Sequence, residues 1–234
     1  MKQDYPSLQD MAANLALDTN ALEVVKWSIY DYNLYPVAGL ISLPFFQSGI
    51  GAGLSVSPGN ANNPKALTDT NMTGNGTLPA PQAFYVAGIE VEVDPGSSAT
   101  ANTFALQIPA AFAAAGAAAV QSGETDVNRI RQSGALTFSI GTKPYYTEGP
   151  LLRFPHRNDL RLSSSVTTTS ATVGEVTKNR YNCLGECVKI NPGVGIMTQQ
   201  NFSVTLSWPA VVALPTNNAR IGVILDGYLF RGVQ

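Results

Sequence analysis

Alternation of apolar and polar side chains is clearest near the C-terminus, where Phe202, Val204, Leu206 and Trp208 interleave with Ser203, Thr205 and Ser207. That period of two predicts a strand with one buried face. The stretch Arg220 to Phe230 is apolar on both alternations, with Ile221, Val223, Leu225 and Leu229 on one and Ile224, Tyr228 and Phe230 on the other. It reads as a strand covered on both sides. A two-layer sandwich buries only the inner face of each sheet, so the outer face of this strand asks for cover from a loop or another chain.

Further strands follow from the same signal. Leu136, Phe138 and Ile140 alternate with Thr137 and Ser139, and Tyr85, Ala87, Ile89, Val91 and Val93 alternate with Glu90, Glu92 and Asp94 before the turn Asp94-Pro-Gly-Ser. Trp27 to Tyr35 and Val37 to Phe46 are two more candidates, bounded by Pro36 and Pro44, which favour strand ends or edges. The Ser/Thr-rich Leu162 to Val173 holds one or two others, while Lys143 to Pro155 is broken by prolines and 174–195 reads as a polar loop. Helical signals are short: an amphipathic turn over 7–17 behind Ser7, an Ala-rich piece opened by Pro109, and Thr125 to Gln132 ending at Gly134. Gln47 to Pro81 has no periodicity, and a loop of that length in a compact domain is commonly a functional or docking element. The expected organisation is an N-terminal arm, 1–25, followed by one domain, 26–234.

Composition sharpens this picture. Of 234 residues only 13% are charged, against about a quarter in an average domain, and the net charge is −2. Such a surface suits a protein packed against copies of itself, or, alternatively, a compact secreted or loop-rich domain with a neutral surface. No run of Lys or Arg occurs, so direct nucleic-acid binding is not expected. The first residues, Met1 to Pro6, carry no signal-like apolar run, and the Ala-rich stretch near 108–120 is too short to span a bilayer. Synthesis in the cytoplasm is the expectation.

Candidate chemistry is sparse. A Ser-His-Asp arrangement would rest on His156, the one histidine, without a nucleophile elbow, and no spacing among Glu90, Glu92, Asp94, Glu148 and Asp226 selects a carboxylate pair. Gly49-Ile-Gly-Ala-Gly53 lacks the Lys-Ser/Thr of a phosphate loop. Cys183 and Cys187 lack further metal ligands and read as free thiols, with a disulfide as the alternative. The acidic face of Glu90, Glu92 and Asp94 reads as a solvated strand face, with Ca²⁺ as the sharper reading. Arg153, His156, Arg157 and Arg161, with Glu148 and Asp159 nearby, read as a solvated or intersubunit salt-bridge cluster. The sequence selects no catalytic, cofactor-binding or metal site, and an enzyme is not expected.

Seven to nine strands separated by long loops predict an all-β protein, an antiparallel jelly-roll sandwich, single or, alternatively, compact double, with short helical insertions. Leu78 to Val91, Gly134 to Leu151 and the ending Arg220 to Leu229 resemble the jelly-roll coat proteins of icosahedral viruses, most of all those of tailless bacteriophages with an internal membrane. The resemblance spans about 27–234. It implies a capsid protein that self-assembles into the virion shell, with copies of itself, other virion proteins and an internal lipid membrane as partners. It lacks the basic arm many small RNA-virus coats carry, which fits a shell kept apart from its genome. The alternative is a carbohydrate-binding domain of a phage tail or spike, with Trp27, Trp208, Tyr145 and Tyr146 as candidate sugar-stacking residues.

Overall fold

The computed structural model describes residues 12, 22–57, 60, 63–94, 127–154, 158–169, 172–183, 187–214 and 218–232. Its strands are β1 (Leu22–Tyr35), β2 (Ser42–Phe45), β3 (Ala83–Asp94), β4 (Ala135–Ile140), β5 (Lys143–Glu148), β6 (Asn158–Thr169), β7 (Thr172–Cys183), β8 (Val188–Ile196), β9 (Phe202–Ser207) and β10 (Ala219–Gly232). Among the described residues a short helix, α1, spans 127–133 where Thr125 to Gln132 predicted one, with Gly134 just after it, and a 3₁₀ turn spans Leu151–Arg153. The expected helices over 7–17 and after Pro109 fall outside the described residues, Ala12 excepted.

Eight strands form two antiparallel sheets, ordered β1-β10-β3-β8 and β2-β9-β4-β5, and β6 and β7 form a separate hairpin. With that hairpin set aside the pairing is nested. β4 pairs β5, β3 pairs β8, β2 pairs β9 and β1 pairs β10, so the chain folds back on itself as one long antiparallel ribbon. The contacts β10-β3 and β9-β4 then gather the ribbon into two layers. Inward residues of both sheets share one core: Ile29, Phe84, Val86, Ile89, Val91, Val223 and Leu225 from the first, Phe45, Leu136, Phe138, Phe202, Val204 and Leu206 from the second.

Trp208 closes this core as its phase predicted. It is buried, meets Tyr35 edge to face at 4.9 Å, and donates its indole N–H to the Ile130 carbonyl at 3.0 Å, which fixes α1 against β9.

Several expectations are corrected. β1 begins at Leu22, inside the segment read as an arm, and only Ser42–Phe45 of the predicted Val37 to Phe46 strand forms, because 36–41 turns. The stretch 174–195 is not a loop, for β7 and β8 occupy most of it. Its alternation is polar on both faces in β7, so the apolar signal that marks other strands is missing. Lys143–Glu148 pairs as an edge strand, where Pro144 is tolerated.

In β3 the predicted phase holds only for Ile89, Val91 and Val93. A bulge at Ala87, between the pairs Val86–Gly227 and Gly88–Asp226, flips the strand, so Phe84 and Val86 face the core and Tyr85 and Ala87 face outward. There Tyr85 joins Ala83, Phe230, Tyr228 and Val24 in a second apolar cluster that also includes the buried Ala12. Part of the cover asked for by the outer face of β10 comes from Ala12.

Candidate functional site

Three places concentrate unusual side chains. The first lies where the long β2–β3 loop, 46–82, meets β1. Asp31 follows Ile29 in the inward phase of β1 and is fully buried, as are Asp69 and, nearly so, Lys65. Buried charges need partners. Lys65 Nζ lies 2.6 Å from Asp31 Oδ1 and donates to Asn33 Oδ1 at 2.8 Å. Asp31 Oδ2 accepts the Phe46 N–H at 2.6 Å, holding Phe46 in a left-handed conformation (φ 64°) where the chain leaves β2. Burial pushes the Asp31 carboxyl up from its ordinary value, against the pull of Lys65.

Asp69 is the second hub of the loop. Its carboxylate accepts from the Ser55 and Ser57 hydroxyls, both at 2.7 Å, and from the backbone N–H of Val56 and Ala66, both at 3.0 Å. Burial opposes ionisation, yet these four donors outweigh it and leave its pKa lowered. Residues 69–71 also seal the edge of β1. Tyr32 donates its N–H to the Asp69 carbonyl, and the Asn71 side chain accepts from Tyr30 N–H and donates to the Ser28 carbonyl. The loop expected to be functional or docking is therefore pinned along the strand.

The second place is the outer face of the β1-β10-β3-β8 sheet. The acidic ladder is not a solvated face: Glu90 is fully buried, Tyr32 donates its hydroxyl to Glu92 Oε2 at 2.6 Å, and Asp94 lies 3.7 Å from Arg220. Burial and the neighbouring Glu92 push Asp94 up to about 6, with Arg220 partly offsetting them. The Arg220 guanidinium stacks 3.8 Å from the Tyr32 ring and donates to the Thr68 carbonyl. An open groove of about 740 Å³ lies above, lined by Tyr30, Tyr32, Arg220, Ile224, Asn60 and Leu67.

The third is a set of apolar side chains left in water. The turn 36–41 and the stretch 208–214 are joined by hydrogen bonds from Trp208 N–H to Ile41 O and from Leu214 N–H to Val37 O, and they expose Val37, Ile41 (59%) and Val211. In the β2–β3 loop, Ile50, Leu54 (66%) and Leu67 (63%) are exposed on backbone fixed by Ile50 N–H to Met72 O and Ser55 N–H to Asn63 O. Trp27, half exposed, borders an apolar cleft of about 290 Å³ with Val25, Met72, Leu78 and Leu229.

Of the four aromatics considered for sugar stacking, Trp208 is in the core, Tyr146 is partly buried against Phe154, and Trp27 and Tyr145 are exposed, on different sheets. Arg153 pairs with Glu148 at 2.7 Å on the surface, and Arg161 stands opposite Arg180 in the β6–β7 register. His156 and Arg157 lie outside the described residues. Cys187 is a free thiol, and the side chain of Cys183 is likewise outside them. Among the described residues no three His, Cys, Asp or Glu gather at metal-binding distance, and no helix is long and apolar enough to cross a membrane. The hubs at Asp31 and Asp69 escaped the sequence, since partners 34 and 14 residues apart carry no local signature. No family model matches the chain, and no curated protein or solved structure matches it either.

Proposed function

We propose that the chain is a coat subunit that self-assembles into an icosahedral viral shell. The observation that carries this is the set of large apolar side chains, Val37, Ile41 and Val211 on one pair of connections and Ile50, Leu54 and Leu67 on another, held exposed on backbone pinned by hydrogen bonds. Apolar groups on mobile loops collapse or adapt, whereas groups on a fixed frame form a surface ready for a complementary neighbour. With so few charges, that surface is unfavourable in water and is relieved by burial between copies.

The nested pairing of eight strands supports a single jelly roll, the architecture shared by capsid, lectin and cupin domains. Fold alone does not decide among these. The partners in this reading are copies of the chain, other virion proteins and an internal lipid membrane, and the location is the virion. Electron micrographs of the purified protein test it: closed shells or regular lattice fragments support the coat reading, and a field of monomers at every concentration refutes it. A carbohydrate-binding domain is the second reading, favoured by the groove over Tyr30 and Tyr32, and glycan binding lost in Tyr30→Ala would select it.

A further inference from the structure

Lys65, Asn33 and Asp31 form an arrangement that pinning a loop does not require. A buried lysine is uncommon, and among the described residues this one ends on the Asp31 carboxyl and the Asn33 carboxamide oxygen. The same carboxyl reaches the other end of the amide: Asn33 Nδ2 donates to Asp31 Oδ2 at 3.4 Å and to the Pro44 carbonyl at 2.8 Å, which orients it. One acid thus touches both an amine and the amide nitrogen beside it, in a place where Asp31 is fully buried and Lys65 nearly so. Burial pushes the Asp31 carboxyl up, towards the form that can carry a proton between the two nitrogens it touches, Lys65 Nζ and Asn33 Nδ2.

We infer that Lys65 and Asn33 condense into an intramolecular amide, with Asp31 as the proton carrier. The Nζ lone pair attacks Cγ of Asn33 and forms the new C–N bond. Asp31 takes two protons in turn from the Lys65 ammonium and delivers both to Nδ2, the Cγ–Nδ2 bond breaks, and ammonia leaves as ammonium. Asp31 ends in the protonation state in which it began, and no oxidant or cofactor is consumed. Holding the Lys65 amine and the half-buried Asn33 amide in contact beside a buried acid supplies the effective concentration that such a condensation lacks in water. The product ties β1 covalently to the β2–β3 loop, the loop that carries Leu54 and Leu67. This chemistry is independent of the coat reading.

The test is the intact mass of the folded, full-length protein, followed by proteolysis and fragmentation. The expected chain is lighter than its sequence by one ammonia and yields a branched peptide joining Asn33 to Lys65. Lys65→Arg and Asp31→Asn chains should keep their full mass. An Asn33→Asp chain should be lighter by one water, because a carboxyl replaces the carboxamide. A wild-type chain of full mass overturns the proposal without reference to any variant. So does an ammonia loss that maps to a cyclised Asn75-Gly76 and not to a branch, or a branch that forms as fully in Asp31→Asn as in the wild type.

Discussion

At the scale of single residues, the carboxylates of this protein are sorted by what donates to them. Asp69 is held ionised by four donors in a buried site, so Asp69→Ala strands two hydroxyls and two backbone N–H groups at once. A loss of about 3 kcal/mol or more is expected by chemical denaturation. Because the folded pKa of Asp69 is lowered, its contribution is present at neutral pH and disappears as acid titrates the folded carboxylate. Acid unfolding of Asp69→Asn should therefore begin from a lower stability and show a shallower pH dependence than the wild type.

Asp94 has the opposite sign. Its folded pKa is pushed up to about 6, so the folded state binds a proton more tightly than the unfolded chain and loses stability as pH rises between about 4 and 6. Asp94→Asn is expected to be more stable than wild type at neutral pH and to lose that advantage near pH 4. Equal melting shifts at both pH values would contradict the assignment. Trp208 is the apolar counterpart. It fills the space beside Tyr35 and Gly134, and Trp208→Ala should cost on the order of 3–5 kcal/mol, measured by denaturant unfolding, with an unchanged fluorescence-independent fold signature.

At the scale of elements, a strand's phase is legible only where its register is regular. Phe202 to Ser207 and Leu136 to Ile140 read correctly because they pair with each other without interruption, the one irregularity of β4 falling in its pairing with the edge strand β5. In β3 the bulge at Ala87 inserts one residue, and nothing in Tyr85-Val-Ala-Gly88 distinguishes a bulge from a continuing strand. The reason for it lies across the sheet, at Gly227. A Cβ there would stand 1.8 Å from the Tyr85 carbonyl oxygen, so the two backbones approach closely only because Gly227 has no side chain. Gly227→Ala is expected to be among the most damaging single substitutions, with a loss above about 3 kcal/mol, whereas Gly51→Ala meets no atom within 4 Å and is limited by its backbone angle alone.

The hairpin of β6 and β7 was half legible, since β6 sets Leu160, Leu162 and Val166 on one alternation whereas the sequence of β7 is mostly polar on both. Ala12 is buried against Ala83, Tyr85 and Phe230, so deleting 1–21 should leave both sheets paired while uncovering that patch. The expected result is an unchanged far-ultraviolet β spectrum with increased hydrophobic-dye fluorescence; loss of the β spectrum would show that the segment is needed for folding.

At the scale of the whole molecule, the described connections hold apolar side chains in water: Val37, Ile41 and Val211 on one pair, and Ile50, Leu54 and Leu67 on the loop pinned along β1. Each feature is ordinary in isolation. Together with a surface poor in charge they support the proposed coat reading, in which modest contacts are repeated many times and closed symmetry converts weak interfaces into a stable assembly. Contacts of this kind are largely insensitive to screening, whereas a lattice of ion pairs loosens as salt rises. The most direct measurement is the mass of the purified protein by light scattering across protein and salt concentrations. The coat account predicts large closed assemblies that grow in with concentration and persist at moderate salt. A strictly monomeric mass at the highest concentration would contradict it.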